Sequence, residues 1–323
     1  MKKTAIIYVA GHTGLIGSAM LRRLEREGYG RLFAMRHSQL DLQDGPSVES
    51  FFSSVRPQYV VVAAGRVGGI LENQAHPADF MNENMAIQYN ILGAAHRVGV
   101  TKLILFGSSC AYPRECPQPM AEEALLSGKP EPTSLPYAIS KLAGIYMCLA
   151  YNKQDGEKRF IPVIPNSAYG PNDNFDPRSS HVLSALLARL HQAKTSGAKT
   201  ITLWGSGSPR REFVHADDIA GACLHLLQQD CNALDLPLNI GVGSDVSIKE
   251  LAEMIAGIVG YAGRIEWDPT KPDGAPRKLL DSSRLRSFGW KPKVVLREGL
   301  SATYQWYMRN AKARQQASPE YAV

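Results

Sequence analysis

The chain has no uninterrupted apolar segment approaching the ~18 residues that a membrane-spanning helix requires, so no membrane role is expected. The apolar stretch behind Met1-Lys-Lys, Ala5 to Ala10, stops at a Gly/His segment too soon for a signal peptide and reads as a first buried strand. Runs of one charge are also missing. The 36 basic residues are interspersed with 30 acidic ones, and the net charge of +6 is not gathered into the patch that a nucleic acid would require. Cysteines are few and unpaired in sequence: the five, at 110, 116, 148, 223 and 231, form no C-x-x-C. A disulfide framework and a thiolate metal centre are therefore not expected, and the thiols read as reduced residues of a cytoplasmic protein. Internal repeats and low-complexity linkers are absent too.

What is present suits a large α/β protein. With 323 residues and 44% apolar content the chain can bury a sizeable core in one large unit or two intimate domains. The stretch Ala5 to Ala10 runs straight into Gly11-His12-Thr13-Gly14-Leu15-Ile16-Gly17 and then a segment of helical spacing to Glu27. Strand, glycine turn and helix in this order form a dinucleotide site. Gly11 allows the tight turn, Gly14 admits a pyrophosphate and Gly17 lets helix pack on strand. The helix start then faces the phosphates with free amides. After a second strand near Leu32 to Met35 stands Arg36-His37, where an NAD enzyme would carry an acidic residue. A cation there suits the 2′-phosphate of NADP(H), although Arg36 also reads as a solvated surface residue.

Further strands are expected at Tyr59 to Ala64, Leu103 to Phe106 and Phe160 to Ile164, separated by helices from Ser47 and from about Asn84 to Val98. The fold class is α/β, a Rossmann-type doubly wound parallel sheet with a smaller carboxyl-terminal α/β substrate domain. The expected division is 1–165 for cofactor and 166–323 mainly for substrate, with segments such as Phe213 to His215 returning to the first. The second part should alternate strands at Thr200 to Trp204, Leu238 to Ile240 and Arg264 to Trp267 with helices at Val182 to Gln192, Asp217 to Gln229 and Ser247 to Val259.

The fourth strand delivers Gly107-Ser108-Ser109-Cys110 to the ligand edge of the sheet, and Tyr137 and Lys141 follow at i and i+4 on one helix face. Ser108 can hold a carbonyl oxygen and Tyr137 can give it a proton. A neighbouring Lys141 ammonium would lower the tyrosine pKa from its ordinary ~10 and also reach the nicotinamide ribose. Such a triad moves hydride to or from a carbonyl and has no need of Cys110. A thiolate there could take a proton from carbon beside a ketone, with His181 as the acid on the other face, which together amount to epimerisation. On residue type alone, however, Cys110 reads more readily as a small packing residue, and His181 as a helix start.

Over nearly its whole length the chain resembles the GDP-L-fucose synthase family, the GDP-4-keto-6-deoxy-mannose epimerase-reductases of the extended short-chain dehydrogenase/reductase superfamily. The likeness is carried by Gly11-His12 with Gly14 and Gly17, Arg66-Val-Gly-Gly-Ile70, Pro77-Ala-Asp-Phe80, Gly107-Ser-Ser-Cys110 and Gln118-Pro-Met120. It continues through Pro136-Tyr-Ala-Ile139, Tyr169-Gly-Pro-Asn-Asp-Asn-Phe175, Ser180-His-Val182, Trp204-Gly-Ser-Gly207, Arg211-Glu-Phe213 and Lys271-Pro-Asp-Gly274. The resemblance implies catalytic Ser108, Cys110, Tyr137, Lys141 and His181, with Cys110 as base and His181 as acid at C3 and C5 of the sugar. It implies NADP(H) held by Gly11 to Gly17, Arg36, Phe106, Gly107, Ser108, Ser109, Lys141, Pro165, Asn166, Ser167, Ala168 and His181. Arg189, Trp204, Arg211 and Asp273 belong by residue matching to the GDP-sugar site, and a homodimer is expected. The chain departs from the family at Thr13, where Arg is common, and at Pro165-Asn-Ser, where the family has Pro-Thr-Asn. A dideoxyhexose or heptose analogue is therefore the alternative substrate.

Overall fold

Four buried apolar residues in succession, Ile7 to Ala10, mark Ile6–Ala10 (β1) as a strand covered on both faces. In the computed structural model, which describes residues 1–317 except 177, 178, 231–234 and 272, with side chains to residue 310, Ile7 and Val9 enter one core. Tyr8 and Ala10 enter a second on the opposite face. The period of two repeats in Tyr59–Val62 (β3) and Lys102–Phe106 (β4): Val61, Ile104 and Phe106 join the first core, and Val60, Val62, Leu103 and Leu105 the second. With Arg31–Phe33 (β2) and Phe160–Pro165 (β5) these strands lie parallel in the order β2-β1-β3-β4-β5.

Helix α1 (Leu15–Arg26) covers the first face, and α2 (Gly45–Val55), α4 (Pro77–Val98) and α5 (Leu135–Asp155) cover the second. Strand order reverses between β1 and β3, which opens a crevice at their carboxyl ends. Helix α4 begins at Pro77, well before the expected Asn84, because proline lacks only an amide that a first helical position would leave unused anyway. A short helix α3 (Ile70–Ala75) follows the Gly68-Gly69 loop.

The remainder weaves between two bodies. After β6 (Ser167–Tyr169), α6 (Val182–Thr195), β7 (Thr200–Trp204), β8 (Arg210–Arg211), β9 (Phe213–His215) and α7 (Ala216–Gln228), strand β10 (Leu238–Ile240) pairs with β5 as the sixth strand of the main sheet. Helix α7 adds Ile219, Cys223 and Leu226 to the first core. The main sheet thus draws on residues well past 165, while Phe213–His215 pairs with β6 in its own two-stranded ribbon. The smaller body is completed by β11 (Val246–Ser247), α8 (Ile248–Val259), β12 (Arg264–Asp268), β13 (Arg277–Lys278) and α10 (Leu296–Ala317), whereas α9 (Ser283–Ser287) packs Leu285 into the first core. Its core joins Leu187 and Leu190 of α6 to Leu251 and Ile255 of α8. Among the described residues no helix is long and apolar enough to cross a membrane.

Candidate active site

The three glycines of the β1–α1 turn differ in what surrounds them. Gly11 has φ +78°, and a Cβ there would stand 2.6 Å from the Ala63 carbonyl carbon; on Gly17 it would lie 2.1 Å from the Gly11 oxygen. On Gly14 a Cβ would meet only that oxygen, at an ordinary 3.5 Å. Protein packing therefore accounts for Gly11 and Gly17, and Gly14 keeps an open face. Helix α1 starts there without a side-chain cap and without an acidic residue in its first turn, which suits a pyrophosphate. His12 has a buried Nδ1 with no partner, while Leu15 and Ile16 pack against the first core. Tyr8 pairs with Phe33, so Gly11 and Arg36, each three residues further on, reach the same sheet edge. Arg36 is exposed, and among the described residues its guanidinium enters no ion pair.

Beyond β4, Ser108 caps a single turn at Ser109–Ala111, its Oγ accepting the Cys110 amide at 3.2 Å. Gly107 has no room for a side chain, since a Cβ would sit 2.7 Å from Ile145 of α5. That close approach sets the Ser108 turn against the helix bearing Tyr137 and Lys141. Lys141 is buried and, among the described residues, forms no ion pair, and the loss of hydration lowers its pKa to about 8. A Cβ on Gly65, at the end of β3, would lie 3.1 Å from Lys141 Nζ and 2.6 Å from Asn84 Oδ1. Asn84 donates to the Arg66 and Phe80 carbonyls at 3.0 and 2.7 Å, and its Oδ1 is left buried and unpartnered. An unpaired donor and an unpaired acceptor beside one glycine fit a ribose with its hydroxyls. The expected lowering of Tyr137 by Lys141 is corrected. Burial pushes the phenol above its ordinary range, the Cys110 charge adds to this, and only Ser108 opposes it. Lys141 Nζ lies 5.8 Å from the ring centroid, too far to offset the burial.

Cys110 faces charges that its sequence neighbourhood does not reveal. Burial alone would raise its thiol, but the Lys278 ammonium, 3.8 Å from the sulphur, and the Ser108 and Ser134 hydroxyls outweigh burial and lower it. Arg211 also acts on this sulphur. His181 is the exposed N-cap of α6, and its side chain makes no hydrogen bond to Cys110 or Tyr137. The segment before it is tied to the β3 loop by Gly69 N–H donating to the Ser179 carbonyl at 3.2 Å. Asp173 lies close enough to feel the His181 charge. Burial raises its carboxyl, offset in part by the Ser184 hydroxyl, the Asn174 amide and that charge.

Pro165 ends β5, Asn166 follows it, and Ser167 and Ala168 begin β6. Phe106 closes β4. On the smaller body Arg189 donates to the Thr202 carbonyl at 2.6 Å, two residues before the 56% exposed Trp204. Asp273 accepts the Ser206 amide at 2.7 Å and the Ser206 hydroxyl at 2.8 Å, and Arg211 acts on both Asp273 and Cys110. Arg211 thereby links Asp273 to the sulphur electrostatically. Lys278, Ser134 and Asn84 escape sequence reasoning: Lys278 sits in a two-residue strand with no periodicity. Cys231, Pro272 and the 177–178 segment lie outside the described residues.

A glycine turn at a sheet reversal, with Ser108, Tyr137 and Lys141 opposite, defines a nicotinamide-dependent reductase of the short-chain type. Residues 7–241 match the model of the NAD dependent epimerase/dehydratase family, and the chain belongs to it. It is 52% identical over 308 residues to GDP-L-fucose synthase 1 of Arabidopsis thaliana, covering 95% of this chain and 94% of that one. Among solved structures it is similar to a GDP-6-OMe-4-keto-L-xylo-heptose reductase from C. jejuni, with a TM-score of 0.90, 34% identity, and 96% of this chain and 99% of that one covered. It is also similar to a GDP-L-fucose synthetase from Naegleria fowleri bound to NADP, with a TM-score of 0.87, 27% identity, and coverage of 97% and 96%.

Proposed function

We propose that the protein converts GDP-4-keto-6-deoxy-D-mannose to GDP-L-fucose, by epimerisation at C3 and C5 followed by NADPH-dependent reduction at C4. The observation that carries this reading is a thiol made acidic by Lys278 within reach of a reductase triad, since reduction alone gives Cys110 no task. The 4-keto group acidifies the hydrogens on its neighbouring carbons. Cys110 as thiolate takes such a proton, and His181 returns one on the opposite face. Bound NADPH supplies the hydride for C4. Tyr137 protonates the C4 oxygen, Ser108 holds that oxygen, and Lys141 with Asn84 anchors the ribose. Arg36 pairs with the 2′-phosphate, and Arg189, Trp204, Arg211 and Asp273 hold the GDP end.

A GDP-4-keto dideoxyhexose or heptose is the second reading, the heptose being favoured by the likeness to the heptose reductase. A homodimer is supported by exposed apolar residues on two packed helices, Met85 and Tyr89 on α4 with Ile139 and Tyr146 on α5. A cytoplasmic setting suits a base that must remain a free thiol. The test is incubation with GDP-4-keto-6-deoxy-D-mannose and NADPH in deuterated water. GDP-fucose deuterated at C3 and C5 is expected, and reduction without deuterium uptake overturns the epimerase reading.

A further inference from the structure

The Arg211-Glu-Phe213 motif holds a carboxylate to which no chemistry has been assigned. Glu212 has no solvent exposure and, among the described residues, forms no ion pair. Its Oε1 accepts the Val242 and Gly243 amides, both at 2.7 Å. Its Oε2 accepts the Leu280 amide at 3.0 Å and Asn166 Nδ2 at 2.6 Å. Burial raises its carboxyl and the Leu280, Gly243, Asn166 and Val242 donors oppose this; with four donors on its two oxygens, the ionised form is the one these partners fit. A Cβ on Gly241 would lie 2.6 Å from Oε1, leaving no slack.

These bonds bracket Lys278. The Glu212 amide donates to the Lys278 carbonyl at 3.2 Å, Asn166 Nδ2 reaches the same carbonyl at 3.3 Å, and Gln118 Oε1 accepts the intervening Leu279 amide at 2.8 Å. In register, Lys278 stands beside Arg211, and both act on the Cys110 sulphur. Their neighbours Arg277 and Arg210 are held instead by Asp245.

We propose that Glu212 is a positioning residue for proton abstraction, holding Lys278 against Cys110 through the Leu280 amide and Asn166, which rests on the reading of Cys110 as the base. Glutamine at 212 must turn an N–H towards N–H donors on one side or the other, releasing either the Leu280 segment or the Val242-Gly243 turn. Two effects then oppose each other at Cys110. Removing a nearby anion eases ionisation of the thiol, whereas losing Lys278 from its place hinders it. The charged and titratable groups facing the sulphur, Lys278, Arg211 and Tyr137, are otherwise unchanged.

The experiment is iodoacetamide alkylation of Cys110 against pH, followed by mass spectrometry on the full chain without substrate. Glu212→Gln is expected to raise the midpoint by about one pH unit or more, Lys278→Met to do the same, and the double variant to add nothing further. Should Glu212→Gln fail to fold by circular dichroism, Glu212→Asp, one methylene short of the Leu280 amide, is expected to give a smaller upward shift. An unchanged or lowered midpoint, or additive shifts in the double variant, overturns the assignment. Because no sugar is used, failure of the deuterium test would remove the role of the base while leaving this coupling intact.

Discussion

Lys278 Nζ lies 3.8 Å from Cys110 Sγ, although the two residues are far apart in the chain and belong to different bodies of the fold. The cysteine arrives on the turn after β4, inside the cofactor body, and the lysine on the short strand β13 of the smaller one. The base of the proposed epimerisation is therefore assembled only when the two bodies are together. Tyr137 needs no such partner, since it sits on α5 beside the same β4 turn. Proton abstraction and reduction thus depend on different parts of one site.

That difference lets the two half-reactions be separated by substitution. Cys110→Ser replaces a thiol lowered by Lys278 with a hydroxyl that is a far weaker acid, so deuterium wash-in at C3 and C5 should fall by ~10²-fold or more. Tyr137→Phe keeps the thiol and its cation, so wash-in should persist while NADPH oxidation falls by a comparable ~10²-fold factor. Mass spectrometry of the recovered sugar, alongside absorbance of NADPH, follows both in one sample. Equal wash-in for wild type and Cys110→Ser would remove the cysteine from the mechanism.

Lys141 carries a stability cost with a definite sign. Its pKa is 10.5 as the unperturbed value and about 8 in the folded protein, lowered by burial. Between those values the unfolded chain binds more protons, so stability rises with pH through this window. Below it, the buried ammonium costs on the order of 3 kcal/mol at ~1.4 kcal/mol per unit. Lys141→Met should therefore melt several degrees above wild type at pH 7 without cofactor, lose that advantage as pH climbs towards 10.5, and be inactive in reduction. Thermal melts across this pH range are the measurement. A destabilised variant at pH 7, or a difference independent of pH, would contradict the assignment.

Much of this was legible in the sequence because it depends on short-range pattern. Consecutive apolar residues at Tyr59–Val62 and the glycine spacing before Leu15 specify strand, turn and helix locally, and Tyr137 with Lys141 fixes one helix face. The parts that were not legible depend on long-range packing. Strand β10 joins the main sheet from far along the chain, so a single cut near 165 does not describe that sheet. Lys278 and Arg211 meet Cys110 through two-residue strands, too short to show a period. The direction of the Tyr137 shift was misread because burial, invisible in sequence, outweighs a lysine one helical turn away.

The glycine turn offers a contrast between packing and binding. A Cβ on Gly17 would overlap the Gly11 carbonyl oxygen at 2.1 Å, and that oxygen belongs to backbone that cannot yield cheaply. Gly17→Ala should therefore destabilise the cofactor-free protein by about 1–3 kcal/mol through overpacking, seen as a lowered melting temperature. Gly14 has an ordinary φ of −82° and only a 3.5 Å neighbour, so alanine is accommodated there in the free protein. What alanine at 14 obstructs is the approach of a pyrophosphate to the amides at the start of α1. Gly14→Ala should keep the wild-type melting temperature in the absence of NADPH and bind NADPH at least ~10-fold more weakly, a loss on the order of 1.4 kcal/mol. Unaltered NADPH affinity, read from the quenching of protein fluorescence on titration, would mean that the phosphates bind elsewhere.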